Sequence, residues 1–134
     1  MFPIPTRPLD LSPCKVLVVE DNADGRESLR LLLSLCGCRV ETAADGAEGV
    51  RKALADHPHI ALVDIGLPLL DGREVARRIR AALGRQVILV ACTAYDEASG
   101  GARAKESPFD AWLVKPVALP DLLLWIRKAA AALN

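Results

Sequence analysis

The chain has 134 residues, of which 17 are basic and 17 acidic, so its formal net charge at neutral pH is zero. This length fits one domain with a substantial core, and the charge balance provides no global field for nucleic acid or an anionic membrane. Hydrophobic residues make up 51% of the chain, but no apolar run approaches the roughly 18 residues of a membrane span.

The first residues, Met-Phe-Pro-Ile-Pro-Thr-Arg-Pro, lack the basic start, the apolar run and the cleavage site of a secretory signal. We therefore expect the protein in the cytoplasm. Residues 1–13 hold four of the nine prolines, which predicts an extended or mobile N-terminal segment. The folded domain is expected to cover residues 14–134.

The cysteines and histidines show no metal-ligand spacing, because no CxxC pair occurs and the histidines lie far from the cysteines along the chain. Cys36-Gly-Cys38 has the spacing of a redox pair, but small buried thiols in a reducing compartment are the favoured interpretation. Flanking Pro58, the two histidines are assigned to a surface turn. The residues concerned are Cys14, Cys36, Cys38, Cys92, His57 and His59.

The first half of the chain predicts alternating strands and helices. Lys15–Val19 is a β-branched run that predicts strand β1. Helix α1 follows and ends at Gly37, strand β2 covers Cys38–Thr42, and helix α2 ends at Pro58. The residues expected on the inner faces are Leu29, Leu32, Leu33 and Cys36 in α1, and Ala47, Val50, Ala53 and Leu54 in α2.

The second half continues the alternation. Ile60–Val63 is continuously apolar and ends in Asp64, which predicts a strand β3 that is covered on both faces. A loop closes with Asp71-Gly72, a plausible cap for helix α3. The remaining predicted elements are α3 on Val75, Ile79 and Leu83 with its end at Gly84, β4 at Val87–Ala91, a weak α4 at Asp96–Glu106, β5 within Phe109–Val114 and α5 at Leu119–Leu133. Such alternation requires right-handed crossovers and a parallel sheet with helices on both faces.

Polar side chains stand at the ends of four predicted strands: Glu20 and Asp21 after β1, Asp64 after β3, Thr93 after β4 and Lys115 after β5. The carboxyl ends of parallel strands meet at one edge of a sheet, so these groups should converge. Three neighbouring carboxylates need a compensating cation, and hard oxygen ligands with access to water favour a magnesium-like ion.

The same constellation predicts a pocket for a phosphoryl group. Lys115 adds a positive charge, Thr93 adds a hydroxyl donor, and the carboxylate of Asp64 can attack phosphorus to give an aspartyl phosphate. The glycine-rich phosphate loop of a nucleotide-binding fold is missing after β1, where Glu20-Asp21-Asn22 stands instead. A nucleotide ligand is therefore disfavoured.

Four motifs in chain order resemble the response-regulator receiver domain of two-component phosphorelay signalling. They are Val-Val-Glu-Asp-Asn, Val-Asp-Ile-Gly-Leu-Pro-Leu-Leu-Asp-Gly, Ala-Cys-Thr-Ala-Tyr and Leu-Val-Lys-Pro. The resemblance covers residues 14–134 and implies a flavodoxin-like (βα)5 three-layer α/β sandwich, in which a five-stranded parallel sheet has the order 2-1-3-4-5. The loop Asp-Ile-Gly-Leu-Pro also resembles receivers that belong to hybrid sensor kinases.

The resemblance implies roles for the carboxylates. Asp64 is the phosphoacceptor, Asp21 binds Mg²⁺ directly, and Glu20 assists through water. The backbone carbonyl of Gly66 supplies a further metal ligand.

The resemblance also implies a switch. Thr93 follows the phosphoryl group, Lys115 pairs with it, and the Lys115-Pro116 bond is cis. Trp112 occupies the aromatic switch position, so its ring turns inward and changes the α4/β5/α5 surface. Core packing without switching is the alternative for Trp112.

The implied partners are a histidine kinase or histidine phosphotransfer protein and a downstream effector protein of unknown identity, with no direct contact to nucleic acid or membrane. No DNA-binding helix pair, kinase core or effector domain follows Asn134, so we expect the output to pass through another protein or another part of a longer chain. Trp125 is assigned to packing, whereas Leu123 and Leu124 widen the apolar face of α5, which predicts a partner contact or a homodimer through α4/β5/α5.

Two other functions compete with this interpretation. A metal-dependent phosphohydrolase acting on an external phosphoester would need a second acid near the nucleophile, and Ile65 and Gly66 provide none. A degenerate receiver that serves as a binding module is disfavoured because every chemical position is filled. We therefore expect self-phosphorylation and self-dephosphorylation without turnover of an external substrate.

Overall fold

The structure is a computed structural model that describes residues 14–94 and 107–132. The predicted N-terminal segment (1–13), helix α4 (96–106) and the last residue of the predicted α5, Leu133, lie outside the described residues. The described strands are β1 Lys15–Val19, β2 Arg39–Ala43, β3 Ile60–Asp64, β4 Ile88–Thr93 and β5 Ala111–Val114. The described helices are α1 Ala23–Leu35, α2 Gly46–Asp56, α3 Gly72–Leu83, a short 3-10 turn Gly84–Gln86, and α5 Leu119–Ala131.

The five strands form one parallel sheet in the order β2-β1-β3-β4-β5, as expected. From β1 the chain moves outward to β2, and from β3 it moves outward in the other direction to β4 and β5. The strand order therefore reverses between β1 and β3. In an open α/β sheet, the crevice at the carboxyl ends of two such strands is the usual ligand site.

Apolar side chains cover both faces of the sheet, which confirms the three-layer arrangement. One core cluster joins the sheet to α2 and α3, and a second joins it to α1 and α5. Alternate residues of the same strand belong to different clusters, as the period of two requires. The first cluster takes Leu17, Val19, Ala61, Val63, Leu89 and Ala91, and the second takes Val16, Val18, Ile60, Leu62, Val90 and Cys92.

The predicted inner face of α2 is partly wrong. Ala47 is exposed, and 43% of Leu54 is exposed, whereas Gly49 and Ala53 face the sheet. The reason is a close approach: a Cβ on Gly49 would lie 2.8 Å from Cγ2 of Val19. The residue of α2 that lies closest to the sheet is thus a glycine. The spacing of hydrophobic residues does not reveal such a position, so it predicts the wrong inner face.

The strand limits also differ slightly from the predictions. β2 begins and ends one residue later than predicted, and β5 begins at Ala111. β4 starts at Ile88 and extends two residues beyond Ala91, so Thr93 is its last residue instead of following it. Thr93 is thereby held by the sheet ladder, opposite Val114 of β5.

Asp71 caps α3, as predicted, because its Oδ1 accepts a hydrogen bond of 3.0 Å from the backbone N–H of Glu74. The next residue, Gly72, passes the backbone of Asp64 at very short range. A Cβ on Gly72 would lie 2.2 Å from the carbonyl oxygen of Asp64 and 2.8 Å from Cα of Ile65. The Asp71-Gly72 pair thus fixes both the start of α3 and its distance from the end of β3.

Candidate functional site

The reversal of strand order brings three carboxylates together. Glu20 and Asp21 follow β1, Asp64 ends β3, and one oxygen of each lies within 4.8 Å of the others. Glu20 and Asp64 are each 9% exposed, whereas Asp21 is exposed. Across residues 14–94 and 107–132, this is the one such group of three side chains able to hold a metal ion.

Lys115 supplies the positive charge next to these carboxylates. Its Nζ lies 2.9 Å from Oε1 of Glu20 and 3.2 Å from Oδ2 of Asp64. The backbone N–H of Lys115 donates to the carbonyl of Thr93 over 2.8 Å, which ties the β5–α5 loop to the end of β4. The Lys115-Pro116 peptide bond is cis, as the resemblance implied.

The second oxygen of each buried carboxylate is held by the backbone. Oδ1 of Asp64 accepts from the N–H of Gly66 over 3.0 Å, and Oε2 of Glu20 accepts from the N–H of Asn22 over 3.4 Å. Both side chains are therefore oriented toward Lys115 on one side and toward their own loops on the other.

These contacts shift the pKa values of the two buried acids, Glu20 and Asp64, in opposite directions. Burial raises the pKa of Glu20, and its hydrogen bond with Asp64 raises it further, against the attraction of Lys115. Burial also opposes ionisation of Asp64, but the hydrogen bonds from Glu20, from the Gly66 N–H and from Lys115 outweigh it, so the pKa of Asp64 is lowered. Of the two buried acids, Asp64 therefore ionises more readily, a property that suits a nucleophile.

Lys115 remains cationic beside this pair. Burial favours its neutral form, but the hydrogen bonds to Glu20 and Asp64 outweigh burial and raise the pKa of Lys115. A permanent positive charge therefore lies at the end of β3, where an incoming anionic group would meet it.

Thr93 and Trp112 lie on the same face of the sheet. Thr93 is 1% exposed, and its Oγ1 donates to the carbonyl of Ala94 over 3.3 Å. Ala91 is the register partner of Trp112, so Thr93, two residues further along β4, is its diagonal neighbour. The half-buried Trp112 ring packs edge-on against Phe109, with 5.2 Å between the ring centroids.

Sequence reasoning did not find the cleft that opens beside Asp64. It has a volume of about 630 Å³ and extends from the carboxylates along α1 and the β5–α5 loop. Leu62 and Cys92 of the sheet and Leu29 of α1 line its apolar part. Small residues of α1, Gly25 and Ser28, are the sequence signal for this space, because larger side chains at those positions would fill it.

Residues 16–127 match the protein family described as the response regulator receiver domain. The chain belongs to this family. The response regulator MprA from Mycolicibacterium vanbaalenii is 38% identical over 115 residues, which are 86% of this chain and 49% of that protein. MprA from Mycobacterium ulcerans is 38% identical over 113 residues, or 84% of this chain and 48% of that protein. The chain therefore spans about half the length of the curated relatives it matches.

Solved receiver structures share the fold. A receiver domain of a sensor histidine kinase from Pseudomonas aeruginosa, with magnesium coordinated in its active-site cleft, has a TM-score of 0.78 and 31% identity over 88% of this chain and 98% of that one. The response regulator TrrA from Thermotoga maritima, in complex with Mg²⁺ and BeF, has a TM-score of 0.74 and 28% identity over 87% and 98%.

This membership makes the chain a receiver of two-component signalling, and the alternative of a metal-dependent phosphohydrolase is not supported. The acidic cluster is of the kind that can bind a metal ion. Within the described residues, every helix is too short or too polar to cross a membrane.

Proposed function

We propose that Asp64 accepts a phosphoryl group from a histidine kinase or a histidine phosphotransfer protein, in a reaction that depends on Mg²⁺. The observation that carries the proposal is the convergence of Asp64, Glu20, Asp21 and Lys115 at the carboxyl end of the sheet. The proposal assigns the receiver domain to residues 14–134 and its action to the cytoplasm.

The transfer requires one bond to form and one to break. A carboxylate oxygen of Asp64 bonds to phosphorus while the P–N bond to the donor histidine breaks, and the imidazole leaves with the electron pair. Lys115 lies within 3.2 Å of Oδ2 of Asp64 and would pair with an oxygen of the transferred group. The hydroxyl of Thr93 would donate to another of its oxygens.

The donor set fits Mg²⁺, because it consists of carboxylate oxygens that lie close together with one acid exposed to water. We assign direct binding to Asp21 and Asp64, binding through water to Glu20, and a further ligand to the carbonyl of Gly66. When bound, the ion neutralises negative charge on the phosphoryl oxygens.

Incubation with a small phosphodonor and Mg²⁺, followed by intact mass measurement, tests this assignment. We expect one phosphoryl adduct that a chelator abolishes and that is missing in Asp64→Asn. Asp71→Asn is the matched control, because Asp71 lies in the same loop but caps α3, and asparagine is an equally good cap. An adduct that persists in Asp64→Asn, or none in the wild type, refutes the assignment.

We further propose that phosphorylation switches the α4/β5/α5 surface through Thr93 and Trp112. Their diagonal placement on neighbouring strands supports this coupling, since movement of one changes the space next to the other. Tryptophan fluorescence measures it, in a Trp125→Phe background that leaves Trp112 as the single reporter. A change in emission on phosphorylation that Thr93→Ala abolishes is expected, and unchanged emission contradicts the switch.

We propose that the α4/β5/α5 surface contacts an effector or a second copy of the chain. Trp125 packs against the core, and Nζ of Lys128 lies 4.3 Å from its ring centroid, which agrees with a packing role. Leu119 and Leu124 remain 40% and 52% exposed on α5. Analytical ultracentrifugation with and without phosphorylation distinguishes a homodimer from a surface reserved for another protein.

A further inference from the structure

Cys14 and Cys38 lie side by side directly before β1 and β2, at the end of the sheet opposite to Asp64. Lys15 pairs with Arg39 in the β1–β2 register, and the N–H of Arg39 donates to the carbonyl of Cys14 over 2.9 Å, so the two cysteines occupy the next position of the ladder. Neighbouring strands are about 4.7–4.9 Å apart. Disulfide-bonded cysteines have Cα atoms about 4.4–6.8 Å apart, so this placement suits a disulfide.

The two thiols also face each other. Both side chains belong to the core cluster under α1 and α5, on one face of the sheet. The neighbouring Cys38 thiol lowers the pKa of Cys14 against the effect of burial, and the Cys14 thiol, together with burial, raises the pKa of Cys38. Two thiols that lie next to each other on neighbouring strands are the arrangement from which a disulfide forms on oxidation.

The pair is buried but lies next to an edge strand of the sheet, where local opening can expose it. Cys14 is fully buried, but Cys38 is 7% exposed and stands directly before β2, which among the described strands pairs with β1 alone. Local opening of an edge strand is less costly than opening of the central strands, so a small oxidant can reach Cys38 without global unfolding.

We propose that Cys14 and Cys38 form a reversible disulfide when the folded protein meets a two-electron oxidant such as hydrogen peroxide. Two S–H bonds and the O–O bond break, one S–S bond forms, and both hydrogens leave in the two water molecules produced. The sulfurs lose two electrons and the peroxide gains them. A dithiol reductant reverses the reaction by thiol–disulfide exchange.

The structure disfavours the pairing that the Cys36-Gly-Cys38 motif suggests. Cys36 is the C-cap of α1, with its N–H bonded to the carbonyl of Leu33, and its side chain is half exposed. Cys38 instead directs its thiol into the core beside Cys14. The fourth cysteine, Cys92, lies on β4, and β3 separates it from β1.

Tryptic mapping after treatment of the folded protein with hydrogen peroxide and alkylation tests the proposal. Trypsin leaves Cys14 in residues 1–15, because Arg7 precedes a proline, and leaves Cys36 and Cys38 together in residues 31–39. We expect these two peptides to be linked, about 2 Da lighter than their sum because two hydrogens are lost, and to separate on reduction. An internal link within 31–39, or alkylation of all four thiols, overturns the proposal.

Variants identify which residue of the 31–39 peptide is linked. Cys36→Ser should leave the cross-link at the wild-type level, and Cys38→Ser should abolish it, with circular dichroism used to verify that each variant is folded. A cross-link that is lost in Cys36→Ser assigns the bond to Cys36 and refutes the proposal. Fragment ions between Cys36 and Cys38 in the wild-type peptide make the same assignment without any substitution.

Discussion

Two glycines lie against Asp64, Gly66 in the β3–α3 loop and Gly72 at the start of α3, and the same substitution should affect them very differently. A Cβ on Gly72 would lie 2.2 Å from the carbonyl oxygen of Asp64, about 1 Å inside normal contact distance, with further overlap at Cα of Ile65. A Cβ on Gly66 would lie 3.7 Å from Oδ1 of Asp64, which is ordinary contact. The atoms that meet Gly72 are backbone atoms, so relief requires movement of β3 or α3.

We expect Gly72→Ala to lower the free energy of unfolding by roughly 3 kcal/mol, the upper part of the usual range for overpacking. Because the displaced atoms belong to Asp64, the rate of phosphorylation should fall as well. Gly66→Ala should stay within about 0.5 kcal/mol of the wild type, as for a substitution without a clash. Urea unfolding and the mass assay measure both effects. A Gly72→Ala protein as stable as Gly66→Ala would show that the close approach has no energetic weight.

Lys115→Ala should leave Mg²⁺ binding largely intact but abolish the fluorescence response to phosphorylation, because in the proposed function the ammonium pairs with the phosphoryl group and not with the metal. Calorimetric titration measures Mg²⁺ binding, and tryptophan emission measures the response. Burial and the charge of Lys15 lower the pKa of His59, whose Nδ1 accepts a hydrogen bond from the N–H of Lys15 over 2.8 Å. The folded state therefore favours neutral His59. The stability that this preference provides is fully present above the unfolded pKa near 6.5 and is lost as the pH falls through the lowered folded pKa. His59→Asn should remove that part of the pH dependence in urea midpoints, and an unchanged profile contradicts the assignment. Leu69 has φ of 66° and a fully exposed side chain, so Leu69→Asn should stabilise the fold by roughly 0.5–1 kcal/mol, and a lower urea midpoint would count against strain at this position.

The site was predictable to the extent that it depends on strand ends. Asp64, Lys115 and the acidic pair after β1 each follow an apolar run, and the topology alone requires that such ends meet. The contribution of Gly72 was less accessible, because a glycine after aspartate is explained equally well by a helix cap, and the 2.2 Å approach depends on how α3 lies on the sheet. For the same reason, Leu54 was wrongly predicted to face the sheet, because the contact of Gly49 with the sheet sets the orientation of α2.

The cysteines illustrate the limit of local spacing. Cys36 and Cys38 are separated by one residue in sequence, yet the contact partner of Cys38 is Cys14, brought there by the parallel register of β1 and β2. Register is a non-local property, set by which apolar faces are buried together, so no pattern within the motif reveals it.

The same register explains why the charged site is so well defined. Val19 pairs with Val63, Asp64 with Cys92, and Thr93 with Val114, so Glu20, Asp64 and Lys115 all lie at or one position beyond the last rungs of the ladder. A slip of one residue in any strand would move its polar end by about 3.3 Å and turn it to the other face of the sheet. Hydrophobic burial on both faces prevents such a slip, because each strand carries apolar residues matched to both core clusters. Substitutions between hydrophobic residues of similar volume in these clusters should therefore change the free energy of unfolding without changing the position of Asp64.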